Sequence, residues 1–113
     1  MARRGYVPDR GDIVWLNFTP HAGHEQAGHR PALVLSPAKY NGATGLMLCC
    51  PLTTQAKGYP FEVALDVAGE ASGVVLADQV KNVDWRARRA QRKGRAPDEV
   101  VTDVLAKIRA LLP

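Results

Sequence analysis

Gly11-Asp12-Ile13-Val14-Trp15-Leu16-Asn17-Phe18 is the stretch on which the fold turns. Its strand-forming residues are apolar on both parities of the run. Successive side chains of a strand point to opposite faces, so the pattern predicts a strand buried on both sides, or one whose outer face meets a partner. Pro31-Ala32-Leu33-Val34-Leu35-Ser36 predicts a second strand, stopped by Pro37, and Leu46 to Thr53 a third. Phe61-Glu62-Val63-Ala64-Leu65 alternates cleanly and predicts a fourth. A fifth lies within Gly73 to Val83, where Val74, Leu76 and Val80 differ in parity from Val75, Ala77 and Gln79. Pro20, Gly23, Gly28, Gly42, Gly45, Gly58 and Pro60 punctuate the gaps. Short strands in series predict an antiparallel barrel in place of a crossover sheet, in a mainly β fold with α.

The last segment changes period. Pro97 suits the first turn of a helix, and Asp98 and Glu99 complement the positive end of its dipole. Val101, Val104, Leu105, Ile108, Leu111 and Leu112 recur at helical spacing, with Asp103 and Lys107 on the other side. This predicts a C-terminal amphipathic helix covering one end of the barrel. A shorter helical turn around Asp84 to Ala90 has only a thin apolar face.

Composition bounds the rest. With 113 residues, 46% hydrophobic and 23% charged, the sequence reads as one folded domain over 1–113, not as a disordered chain. The longest apolar run, Leu46 to Leu52, is far too short to cross a membrane as a helix, and no apolar segment follows Arg3-Arg4 as in a secretory signal. Cys49 and Cys50 are adjacent, point to opposite faces of one strand and read as packing residues. A cytoplasmic protein with reduced thiols is the expectation. Seven of the fifteen Lys and Arg fall between Lys81 and Arg95, interrupted by the single acid Asp84. That run reads either as a surface for a polyanion or as a solvated basic connection.

Three places concentrate reactive side chains: His21 to Pro31, Pro51 to Lys57, and Ala77 to Lys81. His21, His24, Glu25 and His29 have ligand chemistry, but their spacing fits no helix-borne zinc motif, so a polar loop is the expected reading and no metal is assigned. Glu25, Arg30 and Thr53 combine a carboxylate, a guanidinium and a hydroxyl. Such a set suits cleavage of RNA by its own 2'-hydroxyl: a base, a two-pronged clamp on the phosphorane and a hydrogen-bond donor. Glu25 and Arg30 merely paired with each other within the loop is the alternative.

At these residues the sequence resembles the MazF/PemK-type toxins, the endoribonuclease half of bacterial toxin–antitoxin pairs. The matching blocks are Gly11-Asp-Ile-Val-Trp15, Glu25-Gln-Ala-Gly-His-Arg-Pro31, Ala32-Leu-Val-Leu-Ser-Pro37, Pro51-Leu-Thr-Thr-Gln55, Lys57-Gly-Tyr-Pro-Phe61 and Ala77-Asp-Gln-Val-Lys81, in the family's order. The resemblance implies an SH3-like antiparallel barrel with added helices, a homodimer, and cleavage of single-stranded RNA at short motifs without metal or other cofactor. It implies Arg30 and Thr53 as the catalytic pair, Glu25 as base, and 2',3'-cyclic phosphate and 5'-hydroxyl ends. It also implies an acidic, MazE-like antitoxin whose disordered tail occupies the RNA groove.

On that reading Phe18 stacks on an unpaired base, and Asp78 and Gln79 read its polar edge. Lys57, Lys81 and Arg86 contact phosphates, and His29 orients the loop beside Arg30. A guanidinium stays charged at neutral pH, so Arg30 is assigned to charge stabilisation, with the leaving oxygen's proton open between Arg30, His29 and water. Trp15 is expected in the core or at a dimer contact. A gyrase-poisoning toxin of the same architecture and a non-catalytic RNA-binding module are the rival classes.

Overall fold

The computed structural model describes residues 5–17, 29–66 and 72–113. Seven strands and two helices follow in the order β1 (Asp12–Asn17), β2 (His29–Val34), α1 (Ala38–Thr44), β3 (Leu46–Thr53), β4 (Glu62–Asp66), β5 (Ser72–Leu76), β6 (Lys81–Asp84), β7 (Gln91–Arg95) and α2 (Asp98–Arg109). The strands form one antiparallel sheet in the order β4-β5-β3-β2-β1-β7, with β6 also on β3. It curls into a half-barrel with the C-terminal helix against it, as the sequence predicts.

The double-sided character of β1 is explained by two cores. Ile13, Leu33, Cys50 and Leu52 pack on one face with Val63, Val75 and α2. Val14, Leu16, Ala32, Val34, Met47 and Cys49 pack on the other with Val83 and Trp85. Cys49 and Cys50 thus enter different cores, and burial pushes each thiol up to about 12. Both are packing groups with no thiolate at neutral pH.

The parity change within Gly73 to Val83 has a structural cause. The segment is two strands, β5 and β6, separated by a 3-10 turn at Ala77–Gln79. They share β3: Thr53 and Leu52 face Val74 and Val75, whereas Cys49 to Leu46 face Lys81 to Asp84. In α2, Val101 and Val104 are buried, with Val100, Leu105 and Ile108 packed beside them. The helix ends at Arg109, so Leu111 and Leu112 do not extend its buried stripe and stand 48% and 63% exposed.

Two elements were not legible as such. Helix α1 hides in a short polar segment, begun by Pro37 and closed by Gly45 at φ +75°, whose N–H reaches the Asn41 carbonyl. Its anchor is fully buried Asn41, whose Nδ2 donates to the Pro8 and Ser36 carbonyls at 2.7 and 3.0 Å. Strand β7, Gln91-Arg-Lys-Gly-Arg95, lacks apolar alternation, but lies along β1 at the sheet edge, where charge is well tolerated. Residues 85–89 form a turn and not a helix. Arg89 takes φ +56°, and the Ala90 N–H returns to the Trp85 carbonyl.

Candidate functional site

Arg30 lies in β2, opposite Leu16 of β1. On its other side β2 pairs with β3 in the register Ala32↔Pro51, Leu33↔Cys50 and Val34↔Cys49. Continued two residues, that register sets Arg30 across from Thr53, so their side chains leave neighbouring strands on one face. Both line a cavity of about 280 Å³, together with Trp15, His29 and Lys93. The Thr53 Oγ1 accepts the Gln55 N–H at 3.2 Å, which leaves the hydroxyl's own hydrogen to donate. Gly73, at φ +142°, lets β5 approach closely: a Cβ there would collide with the Thr53 carbonyl oxygen. Backbone contact thereby fixes Thr53 from behind.

A second cavity, of about 360 Å³, shares Thr53 and is lined by Lys57, Tyr59, Asp78 and Gln79 among others. Its loop is held by Glu62, whose carboxylate accepts the Lys57 and Gly58 N–H groups at 3.0 Å. Gly58 takes φ +79° to make that turn. Thr53 is therefore the hinge between a cationic cavity and a polar, aromatic-rimmed one, side by side on one surface.

A family model of PemK-like, MazF-like toxins of type II toxin–antitoxin systems matches residues 9–112. This chain belongs to that family. The endoribonuclease toxin MazF of Escherichia coli K12 is 57% identical over 107 residues, 95% of this chain and 96% of that protein. The crystal structure of MazF from Deinococcus radiodurans matches with a TM-score of 0.91 at 62% identity, covering 95% of this chain and 97% of that one. A MazE–MazF crystal structure from the same organism matches with a TM-score of 0.85 at 62% identity, covering 95% of this chain and 96% of that one.

In this toxin, then, Arg30, Thr53 and His29 meet in one cavity, and Lys57, Asp78 and Gln79 meet Thr53 in the next. Lys81 lies outside both, on β6 opposite Cys49. Arg86, expected on a phosphate, is exposed, laid across the Trp85 ring at 4.6 Å, and donates to the Gly42 carbonyl at 3.3 Å. It thus meets α1 and is not among the residues lining either cavity. Phe18, His21, His24 and Glu25 lie outside the described residues, so the proposed base and base-stacking ring are not placed. Among the described residues no group of three or more His, Cys, Asp or Glu is arranged to hold a metal ion, and no helix is long and apolar enough to cross a membrane.

Of the two places expected for Trp15, the core and a dimer contact, the first is excluded: it is 37% exposed and lines the Arg30 cavity. Its ring stands 6.3 Å from that of His29, and the Lys93 Nζ lies 5.6 Å from its centroid. Trp15 shares parity with buried Ile13, but the cluster on that face does not include it, whereas Leu16 on the other face is fully buried. Lys93 and Glu62 were also missed. Glu62 carried a signal, a carboxylate close in sequence to a Gly-containing loop, whereas nothing distinguished Lys93 from its basic neighbours.

Proposed function

We propose that this toxin, an endoribonuclease by family, cuts single-stranded RNA through attack of the substrate's own 2'-hydroxyl and works without metal or other cofactor. The observation that carries the reading is that Arg30 and Thr53, set opposite each other when the β2–β3 register is continued, both line one open cavity. Glu25, the base the family resemblance implies, removes the 2' proton. The alkoxide attacks the adjacent phosphorus, the bond to the 5'-oxygen breaks, and that oxygen leaves with a proton from the surroundings. Charge accumulates on the non-bridging oxygens of the phosphorane. A guanidinium and a hydroxyl donor aimed at one spot are suited to stabilise it.

The second cavity receives a base beside the cut, with Asp78 and Gln79 at its polar edge and Lys57 on a phosphate. The toxin acts in the cytoplasm as a homodimer, and an acidic, MazE-like antitoxin silences it by covering this cationic surface. Mass analysis of cleaved oligoribonucleotides tests the chemistry. The expected products carry 2',3'-cyclic phosphate and 5'-hydroxyl ends and form equally in excess EDTA. Products with 5'-phosphate ends, or loss of cutting restored by zinc, would reject it; growth arrest with intact RNA and trapped gyrase would favour the gyrase-poison class.

A further inference from the structure

We propose that Glu62 is a positioning residue for RNA binding: its carboxylate grips the main chain on both sides of Lys57 and so sets how Lys57 and Tyr59 enter the second cavity. This deepens the reading of that cavity as the seat of a base beside the cut, and rests on it.

The chain from Thr54 to Pro60 belongs to no helix or strand, and all seven of its residues are exposed. Burial does not hold such a segment, so polar contacts must. Glu62, the first residue of β4, supplies them at its far end. Its carboxylate accepts the Lys57 and Gly58 N–H groups, each at 3.0 Å, and its own N–H donates to the Tyr59 carbonyl at 3.1 Å. The Lys57 and Gly58 N–H groups belong to the two peptide units that flank the Lys57 Cα. Peptide units are planar, so pinning both fixes the two soft dihedrals of Lys57 and the direction in which its side chain departs. The third bond anchors the peptide unit that follows Tyr59. Glu62 is itself half-buried and paired with Leu76 of β5, which lines the same cavity.

The charge on Glu62 makes its role readable. Glu62 and Asp78 are the acids lining this cavity, and Lys57 is its lysine. A carboxylate near a polyanion weakens binding by like-charge repulsion, unless it does something the anion needs. Asp78 has a base edge to read. Glu62 turns its oxygens to main-chain N–H groups, and a charged acceptor holds these more firmly than a neutral one. Removing Glu62 therefore lifts a repulsion and frees a loop. The two effects push RNA affinity in opposite directions.

The test uses an oligoribonucleotide whose cut site has been mapped, in an all-ribose form for kinetics and with a 2'-deoxy sugar at the cut for binding. Glu62→Ala should raise KM about tenfold with kcat within about twofold, as when a binding contact is lost and the chemistry is not. It should also flatten the dependence of log K on log salt by about 0.7, the loss of one phosphate contact on a single strand, here that of Lys57. Lys57→Ala should do the same, and the double variant should lose far less than the product of the two single losses. Glu62→Asp keeps the charge but is one methylene too short for the loop, so it should bind nearly as weakly as Glu62→Ala. Glu62→Gln keeps the reach and one acceptor oxygen and should lose about threefold or less. Circular dichroism restricts the comparison to folded variants, and if Glu62→Ala does not fold, the order of Glu62→Gln over Glu62→Asp decides. Glu62→Gln binding RNA more tightly than the unsubstituted toxin, or all variants binding alike, would overturn the assignment while leaving the cleavage reading standing. An unsubstituted toxin that neither binds nor cuts RNA would overturn both.

Discussion

The two arms of the basic run, so alike in composition, do different work. In the turn after β6, Arg86 covers the Trp85 ring, and Arg88 donates to the Asn17 carbonyl at 2.8 Å. Their side chains are laid against the fold, capping carbonyls and covering an aromatic. In β7, Arg92 and Arg95 gather on Asp12, while Lys93 is turned out onto Trp15 beside the candidate site. A cluster of cations in sequence is therefore not one cationic surface. What each charge can do is set by the carbonyls, rings and carboxylates that the local backbone brings to it.

The sharpest way to probe this contrast is to set the cavity against the turn. Arg30→Ala should lower kcat by about 10²–10³-fold, the usual cost of removing one transition-state donor, with the fold retained. Loss of less than about tenfold would remove Arg30 from the chemistry. Asp12→Ala strikes what sorts β7. Its carboxylate accepts from the Tyr6 hydroxyl at 2.8 Å and the Asp9 N–H at 3.0 Å, and it is buried. The substitution should cost about 1–3 kcal/mol in denaturant unfolding, since it strands these donors. Arg86→Ala should leave cleavage within about twofold, and loosen the turn by about 0.5–1 kcal/mol through lost packing on Trp85. A large fall in RNA affinity from Arg86→Ala would return that residue to the RNA surface and break the distinction between the two arms.

A separate test concerns the proton balance of the cores. Burial raises Cys49 and Cys50 to about 12, and burial with the Asp12 hydrogen bond raises Tyr6 as well. Above about pH 9, where an ordinary thiol ionises, the unfolded chain releases protons that the folded chain keeps. Stability should thus fall as pH rises from about 9 toward 12, and alkylation of either thiol at pH 8 should be negligible until the chain is unfolded. Rapid alkylation of the native toxin would contradict the burial of both.

Much of this was legible in the chain. Apolar residues on both parities of β1 announced a sheet with two buried faces, and adjacent cysteines pointing into opposite cores followed from strand geometry alone. The α2 stripe was legible because its period and its end charges agree. Strand β7 was not, because an edge strand held by backbone pairing to β1 needs no apolar alternation. Helix α1 escaped because a buried Asn41, bonded to carbonyls remote in sequence, supplies what its own residues lack. In the site, Arg30 and Thr53 were readable as chemistry, and their register supplied the proximity. Lys93 was not, because the register of β7 on β1 shifts between Ile13 and Val14. One extra residue in a strand reverses which neighbours share a face, and no residue type marks the insertion.

The central claim is that the RNA attacks itself while Arg30 and Thr53 steady the charge. Replacing the single ribose at the mapped cut by its 2'-deoxy counterpart tests it most directly. The account predicts that this oligonucleotide binds as well as its all-ribose twin and stays whole through long incubation. Cleavage at that linkage at a comparable rate would mean that another nucleophile attacks the phosphorus, and the account would be wrong.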